Sequence, residues 1–240
     1  MNTRTTFIRP TIATLLWCFH LCISPPAFGK ESPSILESSR LTLTPIMLAD
    51  TDELHQQLFG VGEAMKTFNT GRTLSREEVY RRVRSWQRLQ NDTHKTLYKV
   101  WRIDKSPRQS NEQLAGLIGI SDLSQASHPL LYGTFKGYAE VYIVITPNEW
   151  GKGFAPEAVL EAAHYTVQRN QQTQGLLATI TPQNKGSIRA FSKVGFKKSS
   201  HMTYIAGAPR HVYLLERKKI QELYAQSKLK QRAHGIPHLS

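Results

Sequence analysis

The chain has 240 residues, enough for one ordinary domain with additional segments or for two very small domains. Its 40% hydrophobic and 20% charged content supplies apolar material for one core, which excludes a multi-span membrane protein and a disordered tail. Thirty-one Lys and Arg against 18 Asp and Glu give a net charge of +13, a balance suited to a nucleic-acid, anionic-membrane or acidic-substrate partner.

Arg4 and Arg9 precede an apolar run from Ile12 to Ile23, which Ser24, Pro25 and Pro26 break. Ala27 and Gly29 then form a small-x-small pattern that places a cleavage site after Gly29. The run is shorter than the roughly 20 apolar residues that a spanning helix needs. A signal-peptide-like leader over residues 1–29 is therefore expected, with a retained membrane tether as the alternative. Cys18 and Cys22 both fall inside it, so a processed chain has neither a disulfide nor a thiolate metal site.

Past Lys30, strand and helix patterns alternate, as in a mixed α/β domain. Arg40 to Ile46 alternates apolar and polar residues like a half-buried strand. Asp50 with Glu53 reads as a capping box for a short helix to about Phe59, and Ser75 with Glu78 as another. Val79, Val83, Trp86 and Leu89 recur on one face of the helix that the second box begins, over about Ser75 to Gln90. Strands are expected at about Thr96 to Ile103, Leu114 to Ser121 and Ala139 to Thr146, with loops between them around Pro107 and around His128, Pro129 and Gly133. A helix over about Pro156 to Arg169, a strand near Leu176 to Thr181 and a helix near Lys185 to Val194 follow. Strands at Phe196 to Ile205 and His211 to Glu216 close the domain, and a basic tail over residues 218–240 begins helical and frays.

The stretch Val144 to Ala158 joins an apolar strand to a helix through Trp150, Gly151, Lys152, Gly153, Phe154 and Ala155, with Pro156 in the first turn. The unpaired N–H groups and dipole of a helix start attract anions, and glycines let the backbone approach a phosphate closely. A flexible turn without a ligand is the simpler alternative. A dinucleotide fingerprint starting at Gly151 would need its third glycine where Pro156 stands, and no Lys-Ser/Thr P-loop ending is present.

These residues resemble the motif of the GNAT superfamily of acyl-CoA-dependent N-acetyltransferases, Q/R-x-x-G-x-G/A after a strand. Trp150, Gly153 and Ala155 stand at its fixed positions, with Trp in place of Gln or Arg. Ala139 to Ala158 is similar without a gap to A-E-I-G-Y-W-L-x-P-x-x-W-G-K-G-Y-A-x-E-A of the Rim-type subgroup, which acetylates the α-amine of ribosomal proteins. Tyr142 for Gly and Ile143 for Tyr are departures. Asn184, Ser187, Lys193, Gly195 and Phe196 match the subgroup's second block, and Arg40 to Pro45 its opening strand. The resemblance implies a GNAT fold over residues 30–217: a mixed, mostly antiparallel sheet of about seven strands, flanked by helices and splayed at its centre.

The resemblance also implies roles. The backbone of Ile143, Val144 and Ile145 would pair with the pantetheine arm of acetyl-CoA and supply an oxyanion donor. Residues Trp150 to Ala155 and Asn184 would hold the rest of the cofactor, Asn184 having a simple helix cap as its alternative reading. Glu140 is the candidate general base, against a strand glutamate facing solvent or a cation, with Glu149 in reserve. Ser187, a candidate catalytic and cofactor-binding residue, would hydrogen-bond the departing sulfur, because Phe191 stands where many GNAT enzymes place an acid tyrosine. Tyr204 and Tyr213 are reserves for the acid, and Glu157 reads as structural. No histidines have metal-ligand spacing, so no metal is implied.

Once mapped, the charge is uneven. Arg72 to Arg108 holds 11 basic and 4 acidic residues, and the rest of the domain is neutral by count. In the GNAT fold this region walls the acceptor side, which suits an acidic or RNA-associated acceptor, while a solvated helix face is the bland alternative. The expected activity is acetyl transfer from acetyl-CoA to a primary amine, either a protein N-terminus or a small molecule, without tight nucleic-acid binding. A non-catalytic CoA-binding or nucleic-acid-associated module is the competing class. The leader points to export or tethering, whereas acetyl-CoA is cytosolic.

Overall fold

A computed structural model describes residues 34–68, 70–92, 98–106, 114–123, 129–205 and 207–233. The leader and the end of the tail lie outside them. One mixed sheet of eight strands organises the domain. It is built from β1 (Leu36–Glu37), β2 (Leu41–Pro45), β3 (Lys99–Lys105), β4 (Leu114–Asp122), β5 (Tyr138–Ile145), β6 (Gly175–Ile180), β7 (Lys197–Ile205) and β8 (Ala208–Glu216). The spatial order is β1-β2-β3-β4-β5-β6-β8-β7, and every neighbouring pair except β5 with β6 is antiparallel. The sheet has one strand more than the seven expected. That strand is β1, too short at two residues to show alternation.

Helices cover both faces. On one side lie α1 (Thr51–Leu54, continued by a wider turn to Phe59), α2 (Gly62–Met65) and α3 (Arg76–Gln90). Their Leu54, Leu58, Phe59, Val79, Val83 and Trp86 form a core with Val100, Leu117 and Val144 of the sheet. On the other side α5 (Phe154–Arg169) packs Ala158, Val159 and Ala162 onto Leu43, Trp101, Ile118 and Val141. Alternate residues of β5 thus serve different cores, as the two-residue pleat requires. The small α4 (Pro129–Thr134) stands where a loop was expected, and Leu131 with nearby Phe135 covers Leu177 and Val212. Two further helices, α6 (Lys185–Val194) and α7 (Arg217–Ala233), pack toward α5. The tail begins in α7, which runs to Ala233, the last described residue.

Local signals account for some boundaries and miss others. Ser75 Oγ accepts from Glu78 N at 3.3 Å while Glu78 Oε2 accepts from Ser75 N at 2.8 Å, the reciprocal cap read from the sequence. The same box at Asp50 and Glu53 does not form. Asp50 Oδ2 instead accepts from Met47 N at 2.7 Å and its Oδ1 from Arg102 at 2.8 Å. A long-range ion pair has taken the carboxylate that would have capped the helix.

The feature that positions the site is an interruption. Strands β5 and β6, linked by the α5 crossover, pair only at Tyr138 with Gly175, Ala139 with Leu176 and Glu140 with Leu177. β6 continues to Ile180 on β8, and β5 continues to Ile145 on β4, so the two diverge beyond Glu140.

Candidate active site

The divergence leaves backbone groups of β5 facing a gap. Thr146 N donates to Ala115 O at 2.9 Å, so even-numbered residues here turn their backbone toward β4, and pleat alternation turns Val141, Ile143 and Ile145 toward β6. Ile143 and Ile145, two of the three residues read as pairing with the cofactor, therefore direct their backbone into the gap. Val144 does not: its backbone is committed to β4 and its side chain to the α3 core. The Ile145 carbonyl is already occupied by the Trp150 indole, whose Nε1 donates to it at 2.8 Å. Trp150 is otherwise half exposed beside the glycine turn.

That turn has the backbone its glycines allow. Gly151 and Gly153 have φ of +78° and +82°, and Gly153 caps α5. A Cβ on Gly151 would meet nothing within 4 Å, so the glycine serves backbone conformation rather than local packing. The N–H groups of Phe154 and Ala155 head the helix and have no partner within it. An elongated thiol cofactor with a pyrophosphate fits this arrangement: a strand edge with directed backbone groups leads to an anion-attracting helix start.

Charged side chains brace the turn from behind. Lys105 and Lys152 reach the two carboxylate oxygens of Glu149 at 2.9 and 2.8 Å. Burial would raise the pKa of Glu149, yet these two ammonium groups hold it below the usual carboxylate value. Both oxygens of Glu149 are thus engaged by cations, which makes it a weaker candidate proton acceptor than Glu140. Glu157 is also structural. Its Oε1 accepts from Ser38 Oγ, Ser39 Oγ and Arg40 N at 2.7, 3.0 and 3.0 Å, and its Oε2 pairs with the Arg40 guanidinium. Arg40 also donates to Lys152 O at 2.9 Å and lies over the buried Phe154 ring, joining the β2 entry to the turn. Its side-chain role was not legible in the opening-strand match.

Glu140 lies where β5 and β6 separate, on the face away from α5. It takes a hydrogen bond from Thr179 Oγ1 at 3.1 Å, and Arg210 on β8 is close enough to act on its charge. Burial raises its pKa to about 7 against the opposing pull of these two groups. Arg210, itself buried, is shifted down by desolvation. Neither Thr179 nor Arg210 was singled out from the sequence. A Thr within the apolar run Leu176 to Ile180 and an Arg within a strand were the available signals.

Asn184 caps α6 by accepting from Ser187 N at 3.0 Å, and its Nδ2 donates to Thr67 Oγ1 at 2.8 Å. It ties the start of α6 to the segment after α2, which fits the capping reading. Ser187 sits in the first turn of α6, half-buried, on the helix that follows β6. Phe191 is core, edge-on to Phe196 with centroids 4.9 Å apart. Tyr213 is likewise buried, whereas Tyr204 is exposed on the edge strand.

Tyr142, the departure from the resembling motif, is absorbed by its cross-strand partner. A Cβ on Gly119 would fall 2.1 Å from the Tyr142 ring, so the phenol end of the ring takes the space that only a glycine leaves open. Phe68 flanks it at 6.3 Å, and its hydroxyl is buried beside Tyr98.

Comparisons with known proteins agree with this architecture. The acetyltransferase (GNAT) domain family matches residues 40–197. No curated protein matches the sequence. Among solved structures, a GNAT-family acetyltransferase from Bacillus anthracis aligns at 15% identity and a TM-score of 0.59, over 77% of this chain and 99% of its own. The aminoglycoside acetyltransferase AAC(6')-Ib with coenzyme A aligns at 15% and 0.59, over 76% and 98%. RimL, a ribosomal α-N-protein acetyltransferase with coenzyme A, aligns at 16% and 0.58, again over 76% and 98%.

Proposed function

The chain belongs to the GNAT acetyltransferase family and is an acetyl-CoA-dependent N-acetyltransferase, and we propose that its acceptor is a primary amine brought to the sheet face that carries Glu140. A protein N-terminal α-amine or a small amine is the proposed substrate class. The observation that carries this reading is the pairing of β5 with β6 for three residues only, with a carboxylate at the point of divergence and a positive-φ glycine turn beyond it.

When bound, acetyl-CoA supplies the acyl group as a thioester. Glu140, with its pKa near 7, accepts the ammonium proton directly or through water, which an α-amine of pKa about 8 yields near neutral pH. N–H groups on the open edge of β5 beyond the last pair with β6, that of Ile143 among them, donate to the developing oxyanion. Ser187, in the first turn of α6, is proposed to hydrogen-bond the leaving sulfur, whose thiolate is tolerable near neutral pH. Ile143, the glycine turn and the first turn of α5 are proposed to hold the cofactor, with Asn184 acting through the α6 start.

The test is thiol release from acetyl-CoA with a panel of peptides bearing free α-amines and of small amines, alongside calorimetry with CoA. Turnover on at least one amine is expected. Binding of CoA without turnover on any of them would defeat the acceptor assignment.

A further inference from the structure

A cavity of about 470 Å³ opens on the α3 side of the sheet, lined by Arg72, Leu74, Glu78, Arg81, Arg82, Ser85, Trp86 and Tyr98. Its charges are not equally committed. Arg72 is held by Glu78 at 2.6 Å, and Arg81 approaches Glu77 at 3.7 Å on the exposed helix face. Arg82 is half-buried over the Trp86 ring at 5.8 Å and forms no ion pair among the described residues. A partly desolvated guanidinium that feels Glu78 only at a distance and has no direct ion pair is costly, and an incoming carboxylate would offset that cost. Burial already shifts the Arg82 pKa downward.

The cavity is aligned with the reaction centre. Tyr98 immediately precedes β3, whose Lys99 pairs with Ile120 of β4, and the next residue of β4, Ser121, pairs with Glu140 of β5. Tyr98, Ser121 and Glu140 therefore cross the sheet at one level, two strand spacings or about 10 Å from end to end. Tyr142, which feels the charges of both Arg82 and Glu140, lies between the cavity and the base.

We propose that this cavity receives an acidic side chain of the acceptor, with Arg82 as its principal partner, so that the enzyme prefers peptide N-termini carrying Asp or Glu at the second or third residue. An extended chain advances about 3.4 Å per residue, so an α-amine at Glu140 sets a carboxylate of those residues over the arginines. The planar guanidinium suits a carboxylate, and Trp86 and Tyr98 provide apolar walls for the methylene groups. The proposal rests on the reading of Glu140 as the acceptor-side base, and its test separates the two.

Two tetrapeptides, Ala-Asp-Asp-Ala and Ala-Asn-Asn-Ala, are compared by thiol release and by titration into the complex of the full protein with CoA. The acidic peptide is expected to show kcat/KM about tenfold or more above its amide counterpart, and Arg82→Gln to bring the ratio close to one. Ser85→Glu, an exposed change on the cavity rim, is expected to erase the preference by like-charge repulsion, and it provides an independent check should Arg82→Gln fold poorly. CoA affinity of each variant reports its fold. Equal use of the two peptides, or a preference that survives both variants, overturns the proposal. If neither peptide is acetylated, the acceptor assignment for peptides falls, and the titration decides the cavity alone: tighter binding of the acidic peptide that Arg82→Gln abolishes supports it, and equal binding overturns it.

Discussion

Glu140 meets two opposing demands. Its position at the strand divergence desolvates the carboxylate, while Thr179 and Arg210 favour the charged form, and the balance leaves its pKa near 7 instead of 4.5. The native state therefore holds the proton more tightly than the unfolded chain. The stabilising contribution is complete below about pH 4.5 and is lost as pH rises to about 7, an effect of at most about 3 kcal/mol. Glu140→Gln, which mimics the protonated carboxyl, should remove that loss: equal melting temperatures for variant and wild type near pH 4.5, and a higher one for the variant near pH 8. In the same variant kcat/KM should fall by about a hundredfold or more. The activity limb near pH 7 should vanish, leaving the ionisation of the amine itself. A glutamate that was merely buried would give the same stabilisation at high pH but would leave the activity limb in place, so the lost limb is what identifies the base. Glu140 was legible from its place before the glycine turn, but Thr179 and Arg210 were not, because they come from strands 39 and 70 residues away and only the sheet brings them together. The exchange of Tyr142 against Gly119 was half legible, since a glycine inside an apolar strand signals a close approach without naming what approaches.

At the scale of elements, the glycine turn is set by what lies behind it as much as by its own sequence. Glu157 in the first turn of α5 collects Ser38, Ser39 and Arg40, and Arg40 passes the restraint to the Lys152 carbonyl. Removing the Arg40 side chain leaves Glu157 two hydroxyls and a backbone N–H, so α5 should stay docked while the turn loosens. Arg40→Ala should raise KM for acetyl-CoA about fivefold, equivalent to about 1 kcal/mol for a half-exposed charged contact, with kcat within about twofold. A fall in kcat at unchanged KM would show that Arg40 does not act through the turn. The turn and α3 were readable because each carries a dense local code, glycines at fixed offsets in one and a reciprocal cap with an apolar stripe in the other. β1, α2 and α4 were not, because two to six residues cannot display a period, and their boundaries come from packing against the sheet.

For the whole molecule, a formal charge is a poor guide to its field. The segment Arg72 to Arg108 has a surplus of +7 by sequence, yet acids from outside it return to meet its cations: Asp52 to Arg76, Asp50 and Glu53 to Arg102, and Glu149 to Lys105. Among the described residues Arg82 keeps no ion pair and faces the cavity, so salt should affect acidic acceptors selectively. Raising ionic strength from about 0.05 M to about 0.5 M shortens the Debye length from about 14 Å to about 4 Å. With acetyl-CoA saturating, KM for Ala-Asp-Asp-Ala should rise by about threefold or more over that range, while KM for Ala-Asn-Asn-Ala changes by less than about twofold. A partly buried pair is screened less than an exposed one, so some acid preference should persist at the higher salt. Equal weakening of both peptides would mean that the arginines act as a diffuse field over the face of the sheet and that the cavity confers no selectivity of its own.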